Sequence, residues 1–414
     1  AIFWMWLSAF FGMATKYSEG LLAVKYRVVD EKHHSLGGPF YYIEKGMGKK
    51  WKWLACLFAF FGVCVGLFGI GTFSQVNGIA SAVKNFFDPD TAYAVTIPGI
   101  GTYSWTVVIA SLVLSVCVAL VLIGGIKRIA NVSQVVVPFM AVIYVIFSVL
   151  LLVCNVKQIP AAFVTIVKGA FNPQAVTGGI VGSMIVAMQN GIARGIFSNE
   201  AGLGTGSIAH ACADTRKPVK QGFFGIFEVF VDTIIVCTMT ALVILTSGVI
   251  ELSTGKLAEG TTGDATLVAK AFDSVFSIGG INIGSMFIAI AIFLFAFTTV
   301  LGWSHYGTKA WEFLFGVKST FAYRIFFVLI IIFGAVMTSS LAWDISDTFN
   351  GMMMIPNLVG VIVLSPAVYK ITKNYKDRVL KHKDIKPMLS NDPEIQKEQE
   401  EILKCVTEIE LKNK

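Results

Sequence analysis

The sequence predicts an all-α polytopic membrane protein, and three features of its composition carry this prediction. Hydrophobic residues make up 55% of the 414 residues and charged residues only 14%, against about 25% charged in a typical soluble domain. Apolar runs such as Val135–Cys154 reach the roughly 20 residues that a helix needs to cross a bilayer core. Many charged residues follow Tyr369, and most of the others lie in short clusters between such runs.

Nine membrane spans follow from these runs. Residues 1–373 are predicted to form a transmembrane domain, and residues 374–414 a charged cytoplasmic tail with a helix over Pro393–Leu411. The fifth span is long and interrupted by glycines. The predicted spans are Ile2–Val24, Trp53–Val83, Trp105–Ile123, Val135–Cys154, Gly178–His210, Gly222–Ser247, Ile283–Tyr306, Tyr323–Trp343 and Phe349–Ile371.

The loops between these spans differ in charge. The odd-numbered loops and the segment after the last span are rich in Lys and Arg, whereas the eighth loop, placed around Asp344 and Asp347, has neither. Because basic loops stay on the cytoplasmic side, the odd loops and the C-terminus are predicted to be cytoplasmic in a cell membrane.

Several function classes are excluded. The net charge of +7 does not indicate nucleic-acid binding, because the basic residues alternate with apolar runs. No phosphate-binding loop, HExxH or GxSxG motif is present, so the chain is predicted to be neither an ATPase nor another enzyme, and to need no cofactor. The seven cysteines show no paired spacing, and His33 and His34 have no matching ligands for a metal site.

Polar residues gather in the fifth span. Gln189, Asn190 and Gly191 interrupt its apolar pattern, and irregular backbone in a membrane is tolerated where it is buried or lines a cavity. We therefore predict a helix break near Ala187–Gly191 and a second irregularity at Asn199–Gly206. The alternative is that the glycines are packing contacts and the polar residues cap a helix end.

Three further positions are candidates with structural alternatives. Thr298 and Thr299 offer adjacent hydroxyl oxygens, which suit a hard cation but also donate commonly to carbonyls four residues earlier. Trp303 is either a pocket wall or an interfacial anchor. Gln75, like Ser74 and Asn77 beside it, either faces a ligand or joins helices.

Glu228 and Asp232 lie one turn apart in the sixth span, so they are predicted to share a helix face. Ionisable residues inside a membrane are functional candidates by default. Glu228 is near the cytoplasmic end and can reach water. Asp232 is deeper, and both cation coupling and pairing with a basic residue remain open for it.

Three stretches resemble one family of membrane proteins. They are GGPFYYIEKGMGKKWKWLA at Gly37–Ala55, NGIARGIFSNEAGLGTGSIAHA at Asn190–Ala211 and FEVFVDTIIVCTMTALVIL at Phe227–Leu245, and the opening Phe3–Arg27 is similar too. From Ile2 to about Lys373 the chain resembles the alanine/glycine:cation symporter family, also known as sodium:alanine symporters.

This resemblance implies the leucine-transporter-type fold, in which two inverted repeats of five helices each begin with a broken helix. Gly178–His210 would open the second repeat. Only four predicted spans precede it, so the first broken helix and one helix before it are expected to be missing. The chain begins at Ala1 without an initiator Met, and we expect it to be N-terminally incomplete.

The resemblance also implies uptake of alanine or glycine coupled to Na⁺, or to H⁺ in some members, by a protein expected to be monomeric. The substrate carboxylate would face the N–H groups around Asn190, with Gln75 and Trp303 closing a small pocket and Na⁺ lying between the threonines and the missing helix. A bulky side chain at Gly191 is expected to abolish binding without unfolding the protein. The predicted substrate-binding residues are Gln75, Gln189, Asn190, Gly191, Thr299 and Trp303, and the predicted Na⁺ ligands are Thr298 and Thr299.

Other hypotheses remain. A channel would need a continuous polar stripe, and a membrane-embedded enzyme using Glu228 and Asp232 would need a second acid or a nucleophile; the sequence shows neither. A transporter of the same fold with another substrate, or a fragment that does not transport, stays open.

Overall fold

The computed structural model describes residues 1–29, 35–88, 92–97, 101–171, 179–215, 217–251, 257, 265–279, 281–388, 396–397 and 400. Within these residues the chain is largely helical, which agrees with the predicted all-α polytopic class. His33, His34 and most of the predicted tail, including its helix at Pro393–Leu411, lie outside the described residues.

The α-helices are numbered in chain order. They are α1 (Ile2–Lys25), α2 (Pro39–Gly46), α3 (Lys52–Phe68), α4 (Phe73–Phe87), α5 (Trp105–Ile123), α6 (Gly125–Cys154), α7 (Ile159–Phe171), α8 (Gly179–Asn199), α9 (Gly206–Ala211), α10 (Pro218–Val229), α11 (Thr238–Thr246), α12 (Ala265–Asp273), α13 (Ile283–Phe315), α14 (Thr320–Val336) and α15 (Ser339–Tyr375). A π-helical segment, Phe230–Cys237, joins α10 to α11.

Short antiparallel hairpins join some of these helices. Val28–Val29 (β1) pairs with Ser35–Leu36 (β2), Ala94–Ile97 (β3) with Gly101–Ser104 (β4), and Ser277–Ile278 (β5) with Ile281–Asn282 (β6). The middle hairpin has the longest register, from Ala94 opposite Ser104 to Ile97 opposite Gly101.

Within the described part of the chain, seven helical stretches are long and apolar enough to cross a membrane. They are Lys49–Lys84, Trp105–Ile123, Arg128–Cys154, Pro218–Thr246, Ile283–Phe315, Val317–Val336 and Ser339–Leu380. Each overlaps a predicted span. The two other predicted spans correspond to α1 and α8, which are helical but fall outside that set.

The predicted span Trp53–Val83 is not one helix. The chain breaks at Gly69–Thr72, where the N–H groups of Gly69 and Gly71 both donate to Val65 O, and α4 starts afresh at Phe73. The Thr72 hydroxyl donates back to Leu67 O. Glycines at this point lower the cost of leaving the helical conformation.

The predicted position of the eighth loop, around Asp344 and Asp347, is also wrong. The chain turns at Met337, whose backbone is extended, and α15 begins at Ser339. Asp344 and Asp347 therefore lie inside a helix, and Asp347 forms an ion pair with Arg194.

The chain divides into two compact units. The first comprises Ala1–Ala9, Ala59–Asn199 and Val231–Met353, and the second comprises Phe10–Phe58, Glu200–Phe230 and Met354–Lys414. In the first unit, an apolar core forms around Tyr144, Val243 and Phe272. In the second, Leu21, Leu22, Phe40, Ile43 and Phe58 are all fully buried.

Exposed apolar residues in the first unit follow helical spacing. On α5 they are Ile109, Leu112, Val113, Val116, Leu120 and Ile123, each at least half exposed. A contiguous apolar face of this kind on a water-soluble protein would be a liability. On a transmembrane helix it is the face that contacts lipid.

Candidate functional site

Gln75 and Trp303 lie on neighbouring helices of the first unit. Gln75 is half-buried in the first turn of α4, and Trp303 on α13 is only 1% exposed. A Cβ added to Gly71 would stand 2.8 Å from Trp303 Cβ, so α13 packs closely against the break before α4. The indole Nε1 of Trp303 is buried and has no hydrogen-bond partner among the described residues.

The predicted cation ligands lie one turn before Trp303 on α13. Thr298 Oγ1 donates to Leu294 O at 3.1 Å and to Phe295 O at 2.9 Å, and Thr299 Oγ1 donates to Phe295 O at 2.9 Å. Each hydroxyl is half-buried. A donating hydroxyl keeps acceptor lone pairs, so these backbone bonds do not prevent either oxygen from binding a cation.

The predicted helix break at Ala187–Gly191 is wrong, because α8 is continuous through Gln189, Asn190 and Gly191. Gln189 and Asn190 are exposed. A Cβ on Gly191 would lie 2.3 Å from Ala1 O and 2.8 Å from Trp4 Cβ. Glycine there permits close packing of α8 on α1, and regular helical bonds satisfy the backbone that was expected to be free.

The second predicted irregularity is confirmed. Between α8 and α9 the residues Glu200, Gly202 and Gly204 have φ values of 54°, 93° and 82°. We call Glu200–Thr205 the interruption. Its left-handed backbone suits glycine, and a Cβ on Gly204 would come within 2.6 Å of Pro39 Cγ and 2.7 Å of Asn357 Cγ.

A buried polar network holds the interruption within the second unit. The Gly202 N–H donates to Glu19 Oε1 at 3.1 Å, and Asn357 Nδ2 donates to Gly202 O at 2.8 Å and to Glu19 Oε1 at 2.6 Å. The Tyr42 hydroxyl donates to Asn357 Oδ1. Glu19, Tyr42 and Asn357 are fully buried, and burial raises the pKa of the Tyr42 phenol well above its ordinary value. The network thus replaces helical hydrogen bonds that the interruption lacks.

A buried lysine lies beside this network. Lys16 on α1 is fully buried, and its Nζ is 3.6 Å from Glu228 Oε1 on α10. Glu19 and Glu200 also act electrostatically on Lys16. Glu228 is half exposed and makes a second contact with His210, 3.1 Å from Nε2 to Oε2. Buried charges require such partners.

Asp232 has a different environment in the first unit. It lies in the π-helical segment, where Ser198 Oγ and Thr233 Oγ1 each donate to its carboxylate at 2.9 Å. Asn199 Nδ2 donates to Thr233 Oγ1 at 2.9 Å. These hydroxyl donors satisfy the half-buried carboxylate.

The sequence interpretation missed Lys16, Glu19 and Asn357. A signal for the first two was present, because both are ionisable residues inside the apolar run Ile2–Val24, where such residues are rare and functional by default. Asn357 had only the weaker signal of a polar amide in an apolar span.

Comparison with known proteins identifies one family of transporters and several similar members. The sequence profile of the sodium:alanine symporter family matches residues 1–389. An uncharacterised transporter of Haemophilus influenzae is 44% identical over 380 residues, 92% of this chain and 77% of that protein. The sodium/alanine symporter AgcS of Methanococcus maripaludis is 42% identical over 381 residues, 91% and 77% of the two chains. The probable sodium/glutamine symporter GlnT of Bacillus subtilis is 37% identical over 378 residues, 91% and 72%.

Proposed function

The chain belongs to the sodium:alanine symporter family, a family of transporters and not of enzymes, and on that premise we propose that it is a secondary active symporter. In this proposal the entry of Na⁺, or of H⁺, drives uptake of small amino acids such as alanine or glycine. Alternating access carries substrate and ion across the cell membrane. The name of the relative AgcS, sodium/alanine symporter, favours this pair.

The observation that carries the proposal is the interruption. Discontinuous helices in secondary transporters supply backbone groups for binding and a point about which access can alternate. At Glu200–Thr205 the backbone leaves the helix, and Glu19 and Asn357 meet Gly202 from α1 and α15. A static scaffold has no need of a broken helix supported by buried polar side chains, which are costly to place in an apolar environment.

We propose that the substrate and the ion bind to residues of the first unit. Trp303 and Gln75 would form the wall of a small pocket, and the unpartnered indole Nε1 of Trp303 could donate to a polar ligand. Thr298 and Thr299 would offer their oxygens to Na⁺. Gln189, Asn190 and Gly191 remain substrate candidates, although in a continuous helix Asn190 and Gly191 have no free N–H groups to offer a carboxylate.

We further propose the leucine-transporter-type inverted repeat, with α8 and α9 opening the second repeat. The basic loops and the tail would face the cytoplasm, and the protein would work as a monomer. A pocket of small volume would reject larger side chains by steric clash. The glutamine specificity named for GlnT makes glutamine the first alternative substrate to test.

Uptake into proteoliposomes tests the proposal. The full-length protein is reconstituted, and radiolabelled alanine, glycine and glutamine are followed with and without an inward Na⁺ gradient, and separately with a pH gradient. Concentrative uptake of unchanged alanine that requires an ion gradient is the expected result. Equilibration without accumulation would indicate a channel, and a chemically altered product would indicate an enzyme.

A further inference from the structure

Three carboxylates among the described residues act electrostatically on Lys16. Its ammonium interacts with Glu19 on the same helix, Glu228 on α10 and Glu200 in the interruption. One lysine cannot neutralise three ionised carboxylates. His210 contacts Glu228, with 3.1 Å between Nε2 and Oε2. Counted over these described residues, the carboxylates therefore exceed the lysine unless one of them takes up a proton.

The three carboxylates differ in their access to water. Glu228 is half exposed, and Glu200 is half-buried and accepts a hydrogen bond from Thr205 Oγ1 at 2.8 Å. Glu19 is fully buried. A charge is costlier to bury than a neutral group, so the excess charge is least tolerable on Glu19.

The two carboxylate oxygens of Glu19 differ in their hydrogen bonding. Oε1 accepts from both Gly202 N and Asn357 Nδ2, whereas Oε2 is buried without a hydrogen-bond partner among the described residues. Among the described residues, the titratable groups that act electrostatically on this carboxylate are Lys16, Glu228 and the Tyr42 phenol on α2.

We propose that Glu19 is a proton-binding site that ties protonation to the helix interruption; this rests on the symport function proposed above. A proton from water adds to Oε2, the carboxylate becomes a neutral acid, and Lys16 keeps its own proton. Hydrogen bonds to an ionised acceptor are about twice as strong as those to a neutral one. Proton binding therefore weakens the hydrogen bond from the Gly202 N–H to Glu19 and the electrostatic attraction between Glu19 and Lys16. The interruption can then rearrange.

The variant Glu19→Gln tests this, because an amide oxygen can still accept from Gly202 but does not titrate. Alanine uptake is measured at fixed Na⁺ between about pH 5.5 and about pH 8. We expect a pH-dependent rate in the wild type, a change of less than about twofold in Glu19→Gln, and a wild-type profile in the matched control Glu312→Gln, whose carboxylate pairs with Lys309 in the first unit. A wild-type profile in Glu19→Gln overturns the proposal.

Two further measurements cover failure of that variant or of transport. Glu19→Asp keeps a titratable carboxyl but shortens its reach, so the midpoint of the uptake profile shifts; an unchanged midpoint overturns the proposal.

If the wild type transports none of the amino acids tested, the symport function fails on its own. The melting temperature of purified protein then decides: its pH dependence is smaller in Glu19→Gln than in Glu312→Gln if Glu19 binds the proton, and equal if it does not.

Discussion

Glu19 Oε1 accepts a hydrogen bond from the backbone N–H of Gly202 at 3.1 Å. This bond joins a carboxylate on α1 to the point where the chain leaves the helical path after α8. A helix that stops inside an apolar protein leaves N–H and C=O groups without partners. Glu19 and Asn357 supply those partners from residues 183 and 155 positions away in sequence.

Asn357→Ala should destabilise the protein strongly. The Asn357 side-chain amide forms hydrogen bonds with Glu19, Gly202 O and Tyr42. Removing it takes one hydrogen-bond partner from each of these three buried groups, at a cost of at least about 2 kcal/mol. The melting temperature of the purified protein measures this. Asn282→Ala, which removes an exposed asparagine, should change stability by less than about 0.5 kcal/mol. Equal melting temperatures for the two variants would show that the network contributes little.

Thr299→Ala should weaken the sodium dependence of uptake more than substrate selectivity. Losing one oxygen ligand should raise the Na⁺ concentration for half-maximal uptake by about tenfold, which corresponds to about 1.4 kcal/mol. Thr308→Ala is the matched control, because Thr308 lies on the same helix and donates to Ser304 O at 2.6 Å. If the Na⁺ concentration for half-maximal uptake in Thr299→Ala stays at the wild-type value, Thr299 is not a Na⁺ ligand and its hydroxyl only donates to Phe295 O.

Gly191→Ala should lower stability. The added Cβ would stand 2.3 Å from Ala1 O, a backbone atom that cannot rotate away, and overpacking of this kind costs about 1–3 kcal/mol. Gly169→Ala adds a methyl group where no atom of the described residues lies within 4 Å, so helix propensity alone should stabilise it by up to about 1 kcal/mol. This outcome would replace the sequence-based expectation that a side chain at Gly191 removes binding and leaves stability intact.

Melting temperature and alanine affinity, measured on one sample of each variant, separate the two roles of Gly191. A Gly191→Ala protein that melts like the wild type but no longer binds alanine would place the substrate at this glycine.

Asp88→Asn should remove part of the acid sensitivity of the protein. The Ser104 hydroxyl, which donates to Asp88 at 2.5 Å, holds the pKa of that carboxyl below its usual range, with the Ala92 N–H adding to the effect and burial opposing it. A lowered pKa stabilises the fold above the ordinary value of about 4 and loses that contribution as the pH falls through the folded-state value.

The difference in melting temperature between wild type and Asp88→Asn should therefore be largest near neutral pH and shrink below about pH 4. A difference that stays constant over this range would mean that Asp88 acts through its shape and not its charge.

The helical class and most spans could be predicted from the sequence, because apolar length and loop charge are local properties. Seven of the predicted spans overlap helices long and apolar enough to cross a membrane. The irregularity at Asn199–Gly206 was also predictable, because Gly202 and Gly204 mark backbone that L side chains rarely adopt. The break at Ala187–Gly191 was not, since glycine equally serves helix packing, as it does against Ala1.

The sequence by itself determined that this chain is helical, membrane-spanning and a member of a transporter family, because apolar runs and the family's motifs are continuous stretches of residues. Only the tertiary structure decided which polar residues act together. Lys16, Glu19 and Asn357 are separated by hundreds of positions from some of the groups they contact, and the need to satisfy each buried charge and each open backbone group brings them to the interruption.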